Sequence, residues 1–136
     1  MSMQGGRPTR FYSSKQEKRI AKAVNGQRVA NSGATAFSKG DVRTDEWLFE
    51  AKTKTSESQS FSIKKEWLLK NREEMFAMGK SYSALVFDFG DGNNYYVLDE
   101  KTFLMLKELL DDNEREIEDC LLKEVKKNDK FVGRND

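Results

Sequence analysis

Apolar positions along this chain follow two periods, one helical and one extended. Ile20, Ala21, Ala23 and Val24 form a modest stripe that predicts a helix over about residues 15–24. Ser14 and Glu17 have the spacing of a capping box at its start, and Asn25-Gly26 supplies a left-handed stop. Residues 27–31 (QRVAN) read as a short strand, and the small polar run 32–40 (SGATAFSKG) as a loop. Asp41 and Val42 open a second strand, residues 43–46 turn, and Trp47 to Lys54 form a third. A period of two puts Trp47, Phe49, Ala51 and Thr53 on one face and Leu48, Glu50, Lys52 and Lys54 on the other.

Beyond the polar run TSESQS, a helix is expected from about Lys64 to Met78, with Trp67, Leu68, Met75 and Met78 inward and Gly79 closing it. Residues 81–89 (SYSALVFDF) make the clearest strand, and the turn GDGN returns it into a hairpin with NYYVL. Phe103, Leu106, Leu110, Ile117, Leu121 and Val125 stripe a last helix capped by Asp99, with a break expected near Asp111-Asp112-Asn113. This order predicts an α/β fold, a central mixed β-sheet flanked by helices. Residues 1–12 read as a flexible basic arm, 13–127 as one domain with an acidic helical extension, and 128–136 as a frayed tail.

Composition narrows the chemistry. The length of 136 residues suits one domain. Histidine is absent and Cys120 is the single cysteine. That excludes intrachain disulfides, His-based triads and zinc sites built from His and Cys. Cys120 is expected to be a small buried group. No apolar run is long enough to span a membrane, and no apolar segment follows MSMQGGRPTR, so a cytoplasmic chain is expected. The glycines near residue 40 do not form a phosphate loop, so no nucleotide cofactor is expected. Net charge is only +1, but residues 1–54 carry 11 Lys/Arg against 5 Asp/Glu, and residues 99–119 carry 3 against 9. The basic half suits a polyanion, although both blocks also read as ordinary solvated surface.

The chemically informative stretch is Asp41 to Lys52, DVRTDEWLFEAK. Glu50 and Lys52 share a strand face at a Cα separation of about 6–7 Å. A tight strand pair brings Asp41 beside Glu50. Two converging carboxylates repel unless a cation lies between them, and oxygen-only donors select Mg²⁺, with Mn²⁺ as a substitute. The backbone carbonyl of Ala51 is a natural further ligand, and Lys52 would orient or deprotonate an attacking water. Spacing alone leaves open an ordinary strand pair with Asp41 as a turn residue.

Gly40-Asp41 followed by Glu50-Ala51-Lys52 resembles the PD-(D/E)xK nuclease superfamily. With Glu17 on the first helix and Ser32-Gly33 in the loop, residues 14–110 look most like archaeal-type Holliday junction resolvases and their phage relatives. The resemblance implies a restriction-endonuclease-like sheet and a homodimer that cuts branched DNA with Mg²⁺. A phage enzyme of this kind would act in the host cytoplasm. Asp41, Glu50 and Lys52 would then form the catalytic core, Glu17 would complete it from the helix, and Ser32 would touch DNA near the scissile phosphate. Gly40 departs from the proline that often precedes the aspartate.

Candidate phosphate contacts are Arg7, Arg10, Lys15, Lys18, Arg19 and Lys22 on the arm and first helix, and Lys39, Arg43 and Lys54 near the motif. Gln59 and the helix-opening pair Lys64 and Lys65 join them, the latter because cations there oppose the helix dipole unless an anion is bound. Asp45 and Glu46 rival Asp41 but fall in an exposed turn. The aromatic residues Trp47, Phe49, Trp67, Phe87 and Phe89 are expected in the core. Two other functions fit the same sequence. One is structured-DNA binding without catalysis, the other protein interaction through the acidic C-terminal helix.

Overall fold

A parallel strand pair flanked by antiparallel neighbours organises the molecule. The computed structural model describes residues 8–29 and 41–135, with side chains as far as residue 128. Its elements are α1 (Thr9–Val24), β1 (Gln27–Arg28), β2 (Val42–Arg43), β3 (Trp47–Lys52), α2 (Lys65–Ala77), β4 (Tyr82–Phe87), β5 (Tyr95–Val97) and α3 (Glu100–Asn135). The chain divides into two units, Met1–Leu98 and Asp99–Asp136.

In the first unit the five strands lie in the order β1-β2-β3-β4-β5. β3 and β4 are parallel and every other pair is antiparallel. This is an α/β architecture with a mixed sheet, as patterning predicts. Parallel neighbours need a crossover, and α2 supplies it.

The side chains of β3 divide as the period-two pattern requires. Phe49 faces Val42 and Ala84 in register and joins Ile20 and Val86 in a buried cluster, with Ala21, Val24, Trp47 and Ala51 packed against it. α1 therefore covers this face. Leu48, Leu85 and Met75 are buried too. Asn71 of α2 is also buried, its Nδ2 donating to the carbonyls of Leu48 at 3.4 Å and Ala84 at 3.2 Å. Of the expected α2 core positions, Trp67, Leu68 and Met78 are half-buried and Met75 is buried.

α1 begins at Thr9, several residues before the expected start, with the fixed φ of −62° at Pro8 leading into it. Residues 9–12 thus belong to the helix and not to an arm. Ser14 and Glu17 lie inside α1, so no capping box forms, and both side chains accept from Arg28 instead. At the other end Asn25 adopts φ 55° and ψ 46°, the left-handed stop expected there. Gly90 (φ 88°) carries the turn after β4, where a Cβ would collide with the Ser56 backbone.

The second unit is α3, 36 residues without a break. Asp99 caps it by accepting from the Thr102 N–H at 2.8 Å. The expected interruption at Asp111-Asp112-Asn113 does not occur. Asp111 pairs with Lys107 at 2.7 Å and Asp112 with Arg115, so these carboxylates brace the helix surface and do not compete for its backbone. The helical backbone runs past residue 128, the expected start of fraying. Cys120 is exposed, not buried, because α3 carries it on a surface with no packing partner in its own unit. Among the described residues no helix is long and apolar enough to cross a membrane.

Candidate active site

Asp41, Glu50 and Lys52 come together on the sheet face opposite the α1 core. The Asp41 N–H donates to the Phe49 carbonyl at 2.9 Å, extending the β2–β3 ladder by one residue. Asp41 precedes Val42, the partner of Phe49, and its charge acts on Glu50 from there. The Ala51 N–H donates to Asp41 Oδ2 at 2.7 Å, fixing the carboxylate over the strand. Lys52 Nζ lies 3.4 Å from Glu50 Oε2 and 4.5 Å from the centre of the Trp67 ring. Trp67, from α2, thus covers the lysine with an aromatic face.

The electrostatics are strained toward neutralisation. Burial and then the charge of Asp41 push the Glu50 carboxyl up to about 7, against the opposing pull of Lys52, and Glu74 raises it further. Burial also holds Asp41 above the usual carboxylate range, opposed by the Ala51 N–H and then by Lys52, Lys70 and Arg28. Both carboxyls are shifted upward by burial despite the cations around them, so the site lacks enough positive charge to offset their desolvation.

Glu17 approaches from α1. Its Oε1 accepts from Arg28 Nη2 at 3.1 Å and Nε at 3.3 Å. Burial and then the Asp41 charge raise its pKa, while Arg28 lowers it. The four residues that the nuclease resemblance singles out therefore share one electrostatic neighbourhood. Among the described residues, however, no three Asp, Glu, His or Cys groups are gathered closely enough to hold a metal ion.

Several residues here escape the sequence reading. Gln16 is fully buried and donates from Nε2 to the Lys52 carbonyl at 2.8 Å, fastening α1 to the end of β3. Its place in the stripe Gln16-Ile20-Val24, at four-residue steps, was a readable signal of burial. Glu74 on α2 is also buried, with Lys70 3.9 Å away and Oε2 lacking a hydrogen-bond partner. Nothing in local sequence distinguishes Glu74 from the exposed Glu73 beside it. Arg28, the partner of Glu17, lies in the short strand expected over 27–31, but nothing in that pattern points its side chain at Glu17.

The candidate DNA contacts scatter. Lys15, Arg19 and Lys54 line a common cleft. Arg19 is committed within it to the buried Asp88, 2.7 Å away. Lys64 lies 5.7 Å from the Trp67 ring, while Lys65 is an exposed first residue of α2. Arg10, Lys18, Lys22, Arg43 and Gln59 are exposed, and Arg43 reaches Gln27 at 3.5 Å. Asp45 and Glu46 are exposed in their turn, as expected. Arg7, Ser32 and Lys39 lie outside the described residues. No family model matches this chain, and no curated protein or solved structure matches it either.

Proposed function

We propose that this protein is a divalent-metal-dependent endonuclease acting on branched DNA, built on a restriction-endonuclease-like core. The observation that carries the reading is the placement of Asp41, Glu50 and Lys52 on one sheet face, with both carboxyls shifted upward by burial and Glu50 further by the Asp41 charge. A site with too much negative charge and only oxygen donors suits Mg²⁺ or Mn²⁺. Asp41, Glu50 and the Ala51 carbonyl would hold the ion, with Glu17 as an outer contact.

When bound, such a cation supplies positive charge for the anionic phosphorus centre and acidifies water. The chain's own groups do the positioning. The Ala51 N–H holds Asp41 in place, and Gln16 anchors the backbone of Lys52. Lys52, between Glu50 and the Trp67 face, presents an ammonium donor to a phosphate oxygen or to the attacking water. Lys64, 5.7 Å from the Trp67 ring, adds positive charge around that residue. A four-way junction offers two equivalent strands, which a homodimer would cut symmetrically.

The test is cleavage of a four-way junction, a flapped duplex and a plain duplex with Mg²⁺ or Mn²⁺. Cutting of the branched substrates, lost in Asp41→Asn and Glu50→Gln while DNA binding persists, is expected. Salt-sensitive binding without turnover under every metal condition would make the protein a structured-DNA binder instead.

A further inference from the structure

We infer that the cleft between α1 and the ends of β3 and β4 seats a single unpaired nucleotide of a DNA strand, an inference that rests on the endonuclease reading for the identity of the polymer. The cleft has a volume of about 240 Å³. That is below the roughly 300–1,000 Å³ of pockets for drug-sized ligands, so it suits one nucleotide and not a base pair.

Its wall is one face of α1. Tyr12, Lys15 and Arg19 follow at steps of three and four residues, so they project together. Arg10, Ser14 and Glu17 have the same spacing on a different face, and Ser14 and Glu17 there meet Arg28. One helix thus serves the candidate active site on one flank and the cleft on the other. Lys54 borders the cleft two residues beyond Lys52, so β3 runs from the candidate site to the cleft.

The lining has the chemistry of a nucleotide. Lys15 and Lys54 supply charge for a phosphate, and Tyr12 supplies an aromatic face for a base. Two carboxylates also line the cleft, and both have donors. Asp88 takes Arg19 at 2.7 Å, Thr53 Oγ1 and the Gly90 N–H at 3.0 Å. Asp91 takes the backbone N–H of Asn93 at 3.1 Å and its side-chain amide at 3.3 Å. With Arg19 committed to Asp88, Lys15 and Lys54 are the cations left for an anion, Lys54 Nζ lying 3.4 Å from Ser58 Oγ. A stacked, paired base cannot enter such a cleft without leaving its helix, whereas a nucleotide at a branch or strand end is already available. The cleft would therefore favour branched over continuous duplex DNA.

The probe is a flapped duplex with 2-aminopurine in its single-stranded arm, mixed with the full chain in the absence of divalent metal. Binding should change the 2-aminopurine emission. Lys54→Gln should weaken flap affinity about tenfold and Tyr12→Leu should abolish the emission change, while Tyr12→Phe retains it and affinity for plain duplex changes less than about twofold. If Lys54→Gln and Tyr12→Leu bind and report the flap as the unaltered chain does, the cleft inference is overturned even where the protein cuts DNA. If the variants behave as expected and no substrate is cut with any metal, the cleft stands and the endonuclease reading falls.

Discussion

Two carboxylate sites lie at neighbouring strand ends, and they are built in opposite ways. Asp88, just past β4, is 1% exposed and is enclosed by donors: Arg19, Thr53 and the Gly90 N–H. Glu50, in β3, has Lys52 at 3.4 Å as its ion-pair partner and two other carboxylates, Asp41 and Glu74, acting against it. A buried charge is costly unless paired and hydrogen-bonded. Asp88 meets that condition within the fold. Glu50 meets it less fully, because Asp41 and Glu74 oppose the Lys52 pair, and a site that gathers like charges stores instability that a bound cation would relieve. The contrast separates a carboxylate that holds the structure from one suited to chemistry.

Substitution should divide the two sites sharply. The largest expected effect is on cleavage. Asp41→Asn or Glu50→Gln should lower the rate on a four-way junction by about a thousandfold or more, equivalent to about 4 kcal/mol of transition-state stabilisation. Melting should be unchanged or raised in both. Asp88→Ala should do the reverse, leaving Arg19 without its buried partner and costing about 3 kcal/mol of stability. Denaturant unfolding compares the variants directly. Equal destabilisation by Asp88→Ala and Glu50→Gln would erase the distinction.

The pH dependence sharpens it further. The folded-state pKa of Glu50, about 7, lies above the ordinary 4.5. Between those values the native state retains a proton that the unfolded chain has lost. The favourable contribution is complete below about pH 4.5 and disappears as pH rises through 7. At pH 8 the ionised, crowded carboxylate is therefore a burden, and Glu50→Gln should stabilise the metal-free protein by about 2 kcal/mol after loss of the Lys52 pair is counted. The gain should shrink toward zero at pH 5. Thermal melts at the two pH values measure it, and a Glu50→Gln protein that melts lower at pH 8 would contradict the proposed crowding.

Much of this arrangement was legible in the sequence, for identifiable reasons. The alternation Trp47-Leu48-Phe49-Glu50-Ala51-Lys52 fixes which side chains share a face, and the structure keeps that division. The element order and the Asn25 stop were equally readable, because they depend on local propensity. Long-range choices were not. Ser14 and Glu17 satisfy a capping-box spacing, yet Pro8 moved the helix start and Arg28, distant in sequence, took both side chains. Glu74 and Asn71 enter the interior because α2 crosses over β3 and β4, a fact no local pattern carries. The run Asp111-Asp112-Asn113 looked like a break, but its charges are matched along the helix.

The smallest expected effect tests whether Glu17 belongs with Glu50 or with Asp88. Arg28 reaches Glu17 at 3.1 Å, but its side chain is 38% exposed, so the pair is screened by solvent and contributes less than about 1 kcal/mol to stability. Arg28→Met should therefore hardly change unfolding. It would also remove a cation that lowers the pKa of both Glu17 and Asp41, making the acidic neighbourhood harder to ionise. Cleavage should consequently show a several-fold deficit on the acid side of the profile that closes as pH rises, because losing Arg28 shifts both carboxyls further upward. A pH-rate profile reads this directly. A constant deficit at every pH would mark Arg28 as a DNA contact, and no deficit at any pH would place Glu17 outside the working site.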